Sequence, residues 1–189
     1  PREIQLLELL AERAAAAIDH AQLHERTAHL LCQTAALQRV TTSINAKMAL
    51  PQVLEVVIDG LVEAFGANRV AICLQGEQTG ELRCPASRGL SAEFISAVRE
   101  RYRESAVGKA LATGKHFYSA DVPRDLALDA VRPEIDREGI LTVLILPFGH
   151  GSETAGTLCL YHDDVRRYDE EERRLAQTFA DQTAIAIAN

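Results

Sequence analysis

The sequence predicts an α+β domain with a mostly antiparallel central sheet, preceded by a long helix. Three observations support this fold class. Residues 3–46 contain neither proline nor glycine and are rich in helix-forming residues. The apolar spacing then changes to a period of two at 68–75 and 81–89, which is typical of strands. The remaining segments follow in the order helix, strand, hairpin, helix, and two hairpins with short turns indicate antiparallel pairing.

The long helix over 3–46 carries two apolar series. One runs through Ile4, Leu7, Ala11, Ala14, Ile18 and Ala21; the other comprises Leu23, Leu30, Leu37 and Ile44. The second series repeats every seven residues, which indicates a seam that faces another helix. Threonines follow four residues after each leucine and make the seam partly polar. The helix therefore either packs only on its own domain or forms a parallel dimer stalk between two modules.

The helix at the end of the chain resembles the helix at its start. Residues 175–189 align loosely with residues 6–20 at a constant offset of 169, from 175 − 6. A repeat separated by about one domain length is expected in an array of like domains. We therefore expect residues 1–46 to be the end of a preceding domain plus a stalk, and residues 47–189 to form one module.

The first half of this module contains a helix, a hairpin and a second helix. Residues 51–65 have the spacing of an amphipathic helix, with Pro51 in its first turn and Gly66 at its end. The strands at 68–75 and 81–89 flank a polar turn at 76–80. Ser91 is the predicted N-cap of a helix over 91–105.

The second half completes the sheet. We predict a short helix after Gly108, a strand over 116–121 and an irregular polar stretch over 122–139. Residues 140–150 are nearly all apolar, as in a strand covered on both faces, and 154–163 are the predicted partner strand. Asp169 followed by Glu172 has the spacing of a capping box and predicts the start of the last helix.

The composition disfavours several classes of function. The 189 residues carry a net charge of −7 and the pI is about 5.4, which disfavours binding to nucleic acid or to anionic lipid. No apolar run reaches membrane-spanning length, so we expect no direct membrane insertion. The four cysteines, which are Cys32, Cys73, Cys84 and Cys159, lack the spacing of zinc sites, so we expect a reducing cytoplasm and no metal.

The order of these elements and their local sequences resemble the GAF domain, a small-molecule sensory module of signalling proteins. The resemblance covers about residues 40–189 and is carried by LPQVLEVVIDGLVEAFGANRVAICL (50–74), VGKALATGKHFYSADV (107–122), GILTVLILPF (139–148), TAGTLCLY (154–161) and YDEEERRLAQTFADQTAIAIAN (168–189). It implies a central antiparallel sheet, helices on one face that pack on a partner subunit, and a ligand pocket on the other face. It also implies an output domain outside this chain, such as that of a histidine kinase or a cyclic-dinucleotide enzyme.

The resemblance places the ligand pocket within residues 84–139. The candidate ligand-binding residues are Cys84, Arg88, Phe94, Tyr102, His116, Tyr118 and Asp121. Arg88 and His116 would supply hydrogen-bond donors, and Tyr102 and Tyr118 a stacking surface. A small anionic or planar ligand is favoured by the positive charge of Arg88, Arg99, Arg101, Arg103, Lys109, Lys115 and His116. Taken singly, these residues are better explained as core or surface residues than as ligand contacts, Tyr102 and Phe117 above all.

The resemblance leaves the ligand unknown and disfavours several cofactors. Relatives that bind cyclic nucleotides carry a Lys-Phe-Asp-Glu signature before the last helix, of which only Asp169 and Glu170 are present. Bilin-binding relatives attach the pigment through a cysteine beside a histidine, and residues 121–139 contain neither. Haem-binding relatives use a histidine in the same region, for which His116 or His150 would have to substitute. Haem and bilin are therefore both disfavoured.

The resemblance also includes enzymes that reduce free methionine sulfoxide with two pocket thiols. Cys84 lies on a plausible pocket strand, but no cysteine between Leu90 and Leu158 could resolve it. We therefore expect no catalytic residues and a sensory module that transmits its ligand state through a homodimer of residues 3–46 and 170–189. The alternative is a scaffold without a ligand, which only dimerises and spaces its flanking domains.

Overall fold

The computed structural model describes residues 2–46, 48–76, 79–150 and 153–188. These residues form one five-stranded antiparallel sheet with helices on both faces, so the predicted α+β class is confirmed. The helices are α1 (Arg2–Asn45), α2 (Leu50–Phe65), α3 (Ala92–Arg101), α4 (Ala106–Thr113), α5 (Arg132–Glu138) and α6 (Glu170–Ala188). The strands are β1 (Arg69–Gln75), β2 (Leu82–Arg88), β3 (Phe117–Ser119), β4 (Thr142–His150) and β5 (Glu153–His162).

The strand order across the sheet is β2-β1-β5-β4-β3. Both predicted hairpins are present, β1 with β2 and β4 with β5, although turn residues 77, 78, 151 and 152 lie outside the described part of the chain. β4 is covered on both faces, as its apolar sequence predicts. Val143 and Ile145 belong to one core, and Leu144 and Leu146 to the other.

The helices α1, α2 and α6 cover one face of the sheet, which we call the stalk face. The ring of Phe65 in α2 meets that of Phe179 in α6 edge-on at 5.8 Å. Ala36 and Val40 of α1 are fully buried in this core. The heptad series of α1 is therefore divided, because Leu37 and Ile44 pack partly against the domain's own core while Leu23 and Leu30 are exposed.

The helices α3, α4 and α5 cover the opposite face, which we call the distal face. Its core joins Phe94 and Val98 of α3 and Val107 of α4 to the sheet residues Ala71, Val143, Ile145, Cys159 and Tyr161. Two connecting segments, Val122–Arg124 and Leu126–Val131, form 3-10 turns over the same face. The predicted irregular stretch is thus locally helical, and Pro123 and Pro133 occupy the first turns of two of its pieces.

The helix predicted over 91–105 is shorter in the structure and ends at Arg101. A 3-10 turn over Tyr102–Glu104 follows, and α4 begins at Ala106. Gly108 lies inside α4, not ahead of it, and the helix packs there closely against the backbone of the preceding 3-10 turn. A Cβ at Gly108 would lie 2.1 Å from the carbonyl oxygen of Tyr102, so only glycine fits.

The two predicted helix starts are confirmed by their hydrogen bonds. The backbone N–H of Phe94 donates to Ser91 Oγ at 3.1 Å. At the start of α6, the N–H of Glu172 donates to Asp169 Oδ1 at 2.8 Å, and the N–H of Asp169 donates to Glu172 Oε2 at 3.0 Å. This reciprocal pair satisfies two backbone donors and fixes where α6 leaves the sheet.

Candidate functional site

The distal face contains a small apolar cavity. Its volume is about 20 Å³, which is room for about one water molecule. Its lining comes from α3, α4, α5, the connecting 3-10 turns and the central strands, and comprises Phe94, Val98, Ser105, Ala106, Val107, Val122, Leu128, Val131, Ile135, Ile140, Val143, Ile145 and Tyr161. The Ser105 hydroxyl donates to the Tyr102 carbonyl at 2.7 Å. The cavity is therefore filled by its own apolar side chains.

Phe94 and Tyr102 both belong to the distal core, as the sequence-based site requires. Phe94 lines the cavity, and its ring meets the Tyr161 ring edge-on at 5.5 Å. The Tyr102 hydroxyl is engaged elsewhere. It donates to the Gly80 carbonyl and accepts from Gln75 Nε2 at 3.3 Å, so it ties the end of β1 and the β1–β2 connection to the 3-10 turn after α3. Tyr102 thus has a structural role beside the cavity.

Arg88 lies on the stalk face, which corrects its predicted role as a ligand donor. A β-bulge interrupts β2, because Leu74 pairs with Arg83 whereas Ile72 pairs with Ala86. The extra residue reverses the alternation of side chains along the strand. Cys84 before the bulge therefore packs on the distal core, and Arg88 beyond it binds two carboxylates of α2, those of Glu55 at 3.0 Å and Asp59.

Tyr118 also lies on the stalk face, so its predicted stacking role in the pocket is corrected. Adjacent strand residues point to opposite faces, and Phe117 takes the distal one. The Tyr118 hydroxyl donates to the Arg166 carbonyl at 2.9 Å and accepts from the Tyr168 N–H at 3.3 Å. Tyr118 therefore secures the segment between β5 and α6.

His116 and Asp121 flank β3 at the surface and do not line the cavity. Both side chains are exposed, and Asp121 forms an ion pair with Arg124 at 3.4 Å. The side chain of His150, the other histidine considered from the sequence, lies outside the described residues. Of the seven predicted site residues, Cys84, Phe94 and Tyr102 come together on the distal face, and the other four do not join them.

The sequence missed a cluster of thiols on the distal face. Cys73 Sγ in β1 lies 2.7 Å from Cys84 Sγ in β2, and Cys159 in β5 belongs to the same core. The expectation that no second thiol lies near Cys84 is therefore corrected. Gln75 pairs with Leu82 and Leu74 with Arg83, so the same register continued by one residue brings Cys73 beside Cys84. The hairpin register was therefore the signal that could have revealed the pair.

Three of the predicted basic residues line a separate, open surface groove. Its volume is about 530 Å³, and Arg99, Arg101 and Arg103 line it together with Glu81, Glu100 and Glu104. Arg101 binds Glu134 at 2.8 Å, and the hydrogen bond from Arg101 lowers the pKa of that carboxyl. Arg99 Nε donates to the Leu82 carbonyl at 3.3 Å, and Arg103 Nε to the Tyr102 hydroxyl at 3.1 Å. The groove is thus of mixed charge, and its arginines already have partners.

Comparison with known proteins identifies the family of this fold. The sequence profile of the GAF domain matches residues 47–188. The GAF domain of a phosphoenolpyruvate-protein phosphotransferase from Coxiella burnetii is 26% identical, with a TM-score of 0.73 over 84% of this chain and 94% of that one. Among curated proteins, none matches the sequence.

Two further solved structures are similar in fold. A domain described as part of a two-component sensor histidine kinase from Sinorhizobium meliloti is 24% identical, with a TM-score of 0.64 over 75% of this chain and 92% of that one. Free methionine-R-sulfoxide reductase from Neisseria meningitidis, solved with its substrate, is 17% identical, with a TM-score of 0.69 over 82% of this chain and 88% of that one. The same fold therefore serves both kinds of protein.

Proposed function

This chain belongs to the GAF domain family, and we propose that it is a non-catalytic sensory module of a signalling protein, acting as a homodimer through α1 and α6. The observation that carries the proposal is the exposure of two large residues of the heptad series on one side of α1. Leu23 and Leu30 are 64% and 50% exposed. A group of large apolar side chains on one exposed helix is typical of a surface that another protein covers.

α1 is attached to the domain through its C-terminal part. From Gln33 to Ser43 it contributes buried residues to the stalk face, and the Gln33 amide donates to the Ala64 carbonyl of α2 at 3.3 Å. Between Arg13 and Leu31, every side chain that the structure describes is exposed. A displacement of α2 or α6 would therefore move a helix that extends well beyond the domain, as a signalling stalk requires.

The threonines of the heptad series do not oppose helix pairing. The hydroxyls of Thr27, Thr34 and Thr41 each donate to the carbonyl four residues earlier, at 2.8, 2.8 and 3.1 Å. Because these hydroxyls are hydrogen-bonded within α1, a partner helix could cover them without leaving a donor unpaired. This supports α1 as the dimer surface.

The proposed input is a small molecule that enters the distal face. Since the cavity there is only about 20 Å³, such a ligand would have to displace side chains of the 122–139 segment. The alternative function is a scaffold that binds no ligand, and the small volume of the cavity is the observation that favours it. Native mass spectrometry of the purified protein separates the two, because a sensor that copurifies with its ligand shows an added mass and a scaffold does not.

We further propose that the domain works in the reducing cytoplasm and has no methionine sulfoxide reductase activity. All four cysteines are free thiols, which supports a reducing compartment. No helix in the described residues is long and apolar enough to cross a membrane. Incubation with free methionine sulfoxide and a dithiol reductant should yield no methionine; turnover that depends on Cys84 would refute the non-catalytic assignment.

The homodimer is tested by placing charge on the exposed surface of α1. The double variant Leu23→Glu/Leu30→Glu should be a monomer in light scattering at tens of micromolar, where the wild type should be a dimer. Ala21→Glu/Ala28→Glu is the matched control, because these exposed alanines precede the leucines by two residues and face about 200° away. The control should remain a dimer. A monomeric wild type would refute the proposed stalk.

A further inference from the structure

Cys73 and Cys84 lie on neighbouring antiparallel strands at the β-bulge, between the pairs Ile72–Ala86 and Leu74–Arg83. Their sulfur atoms are 2.7 Å apart, and a disulfide bond measures about 2.03–2.05 Å. Closing the bond therefore requires a movement of less than about 1 Å. β2 is an edge strand with a bulge and a proline at position 85, so it is the strand that can shift.

The two thiols differ in their access to solvent. Cys84 is half-buried, whereas the Cys73 side chain is buried in the distal core. Hydrogen bonds with Cys159 and Cys84, together with burial, raise the pKa of the Cys73 thiol well above its usual value. A reagent from solvent therefore reacts with Cys84 first, while Cys73 stays buried beside it as a protonated thiol.

We propose that Cys84 and Cys73 form a modification site, at which a small hydroperoxide converts the two thiols into one disulfide. The Cys84 thiolate attacks one peroxide oxygen, the O–O bond breaks, and a sulfenic acid and one water form from hydrogen peroxide. The Cys73 sulfur then gives up its proton and attacks the Cys84 sulfur, which breaks the S–O bond and releases a second water. The two thiols lose two electrons, and the peroxide gains them.

Cys159 is the third thiol of the cluster, but its position disfavours it as the partner. It is fully buried on β5, between β1 and β4, and donates to Thr157 Oγ1 at 3.6 Å. A strand paired on both sides cannot shift as an edge strand can. The disulfide therefore joins β2 to β1 and fixes the edge of the sheet beneath α3. In a reducing cytoplasm such a bond is transient, which suits an oxidation sensor.

Peptide mapping tests this pair directly, because trypsin places each of the four cysteines in a different peptide. Cleavage after Arg69, Arg83 and Arg88 puts Cys73 in peptide 70–83 and Cys84 in peptide 84–88; Cys159 lies in 138–166 and Cys32 in 27–39. The reduced full chain is treated with hydrogen peroxide, and the remaining thiols are alkylated before digestion. The expected product is peptide 70–83 linked to 84–88, two hydrogen masses below their sum, and dithiothreitol should remove it.

Serine variants provide the controls. Cys84→Ser, at a half-buried position that tolerates the change, should abolish the linked peptide, whereas Cys159→Ser and Cys32→Ser should retain it. Cys73→Ser should leave Cys84 without a resolving thiol, so that it accumulates as sulfinic acid. Linkage of 70–83 to 138–166 in the wild type would overturn the assignment. So would wild-type Cys84 that becomes sulfinic acid, or stays reduced, without forming the link.

Discussion

His162 makes the stability of the domain depend on pH. It ends β5, is buried, and its Nε2 lies 2.5 Å from the Tyr168 hydroxyl just before α6. Burial, followed by the neighbouring Arg166 charge, lowers the pKa of His162 from 6.5 to about 4. The folded domain therefore disfavours the protonated ring, whereas the unfolded chain accepts a proton at its ordinary pKa.

The sign and size of the effect follow from this difference. Between pH 6.5 and about 4, the unfolded chain binds the proton and the folded domain does not, so stability falls as the pH falls. With these two pKa values, His162 alone should lower the free energy of unfolding by about 2 kcal/mol between pH 7.5 and pH 5. The loss should level off below about pH 4, where both states are protonated.

Urea unfolding at pH 7.5, 6.5, 5.5 and 5.0, at one fixed protein concentration, measures this loss. His162→Gln is the matched variant, because its amide can still bond to Tyr168 but does not titrate. It should be less stable at pH 7.5 and should lose about 2 kcal/mol less than the wild type on going to pH 5. Equal losses in the two proteins would show that His162 is not the group that titrates.

Four further substitutions test the two faces of the sheet. Gly108→Ala should lower the free energy of unfolding, measured in urea, by about 3 kcal/mol, because the new Cβ would clash with backbone atoms. At Gly139 a new Cβ would have no other atom within 4 Å, but the φ of +69° is strained for alanine, so Gly139→Ala should cost only about 1 kcal/mol. Equal losses would refute the steric argument. Phe94→Ala should cost about 3–5 kcal/mol and open the distal cavity, so that small apolar probes raise its melting temperature but not that of the wild type. Arg88→Ala should lower the free energy of unfolding by at most about 1 kcal/mol, since its ion pairs are partly exposed. It should not weaken the binding of any ligand found by thermal shift.

Sequence periodicity predicted the elements well because each has a strong local signal. Ser91 and the Asp169–Glu172 pair have the side chains that satisfy free N–H groups at helix starts, and both capped the predicted helices. Local signals also explain the main error in the helices. The spacing over 91–105 is helical throughout, and only the close packing of Gly108 on the preceding turn interrupts it.

The candidate site was harder to predict because it depends on which face each side chain takes. The bulge in β2 reverses the alternation between Cys84 and Arg88. Pro85 is a residue type found at edges and bulges, but it does not show which face each neighbouring side chain takes. Tyr118 is a different kind of error, since Phe117 and Tyr118 are adjacent on one strand and strict alternation excludes both from one pocket. The filling of the cavity follows from packing between distant segments, which the spacing of residues does not encode.

The small, apolar cavity of the distal face also changes which ligand the proposed sensor should accept. A basic region favours an anion, but Arg88 is paired on the stalk face and Arg101 is bound to Glu134. An anion buried among Val107, Ile135 and Val143 would lose its hydration without a cation to replace it, which costs several kcal/mol. An apolar or planar molecule would instead replace the apolar contacts of the side chains that it displaces. The packing therefore supports an apolar ligand, and the Phe94→Ala cavity is where such a preference should first become measurable.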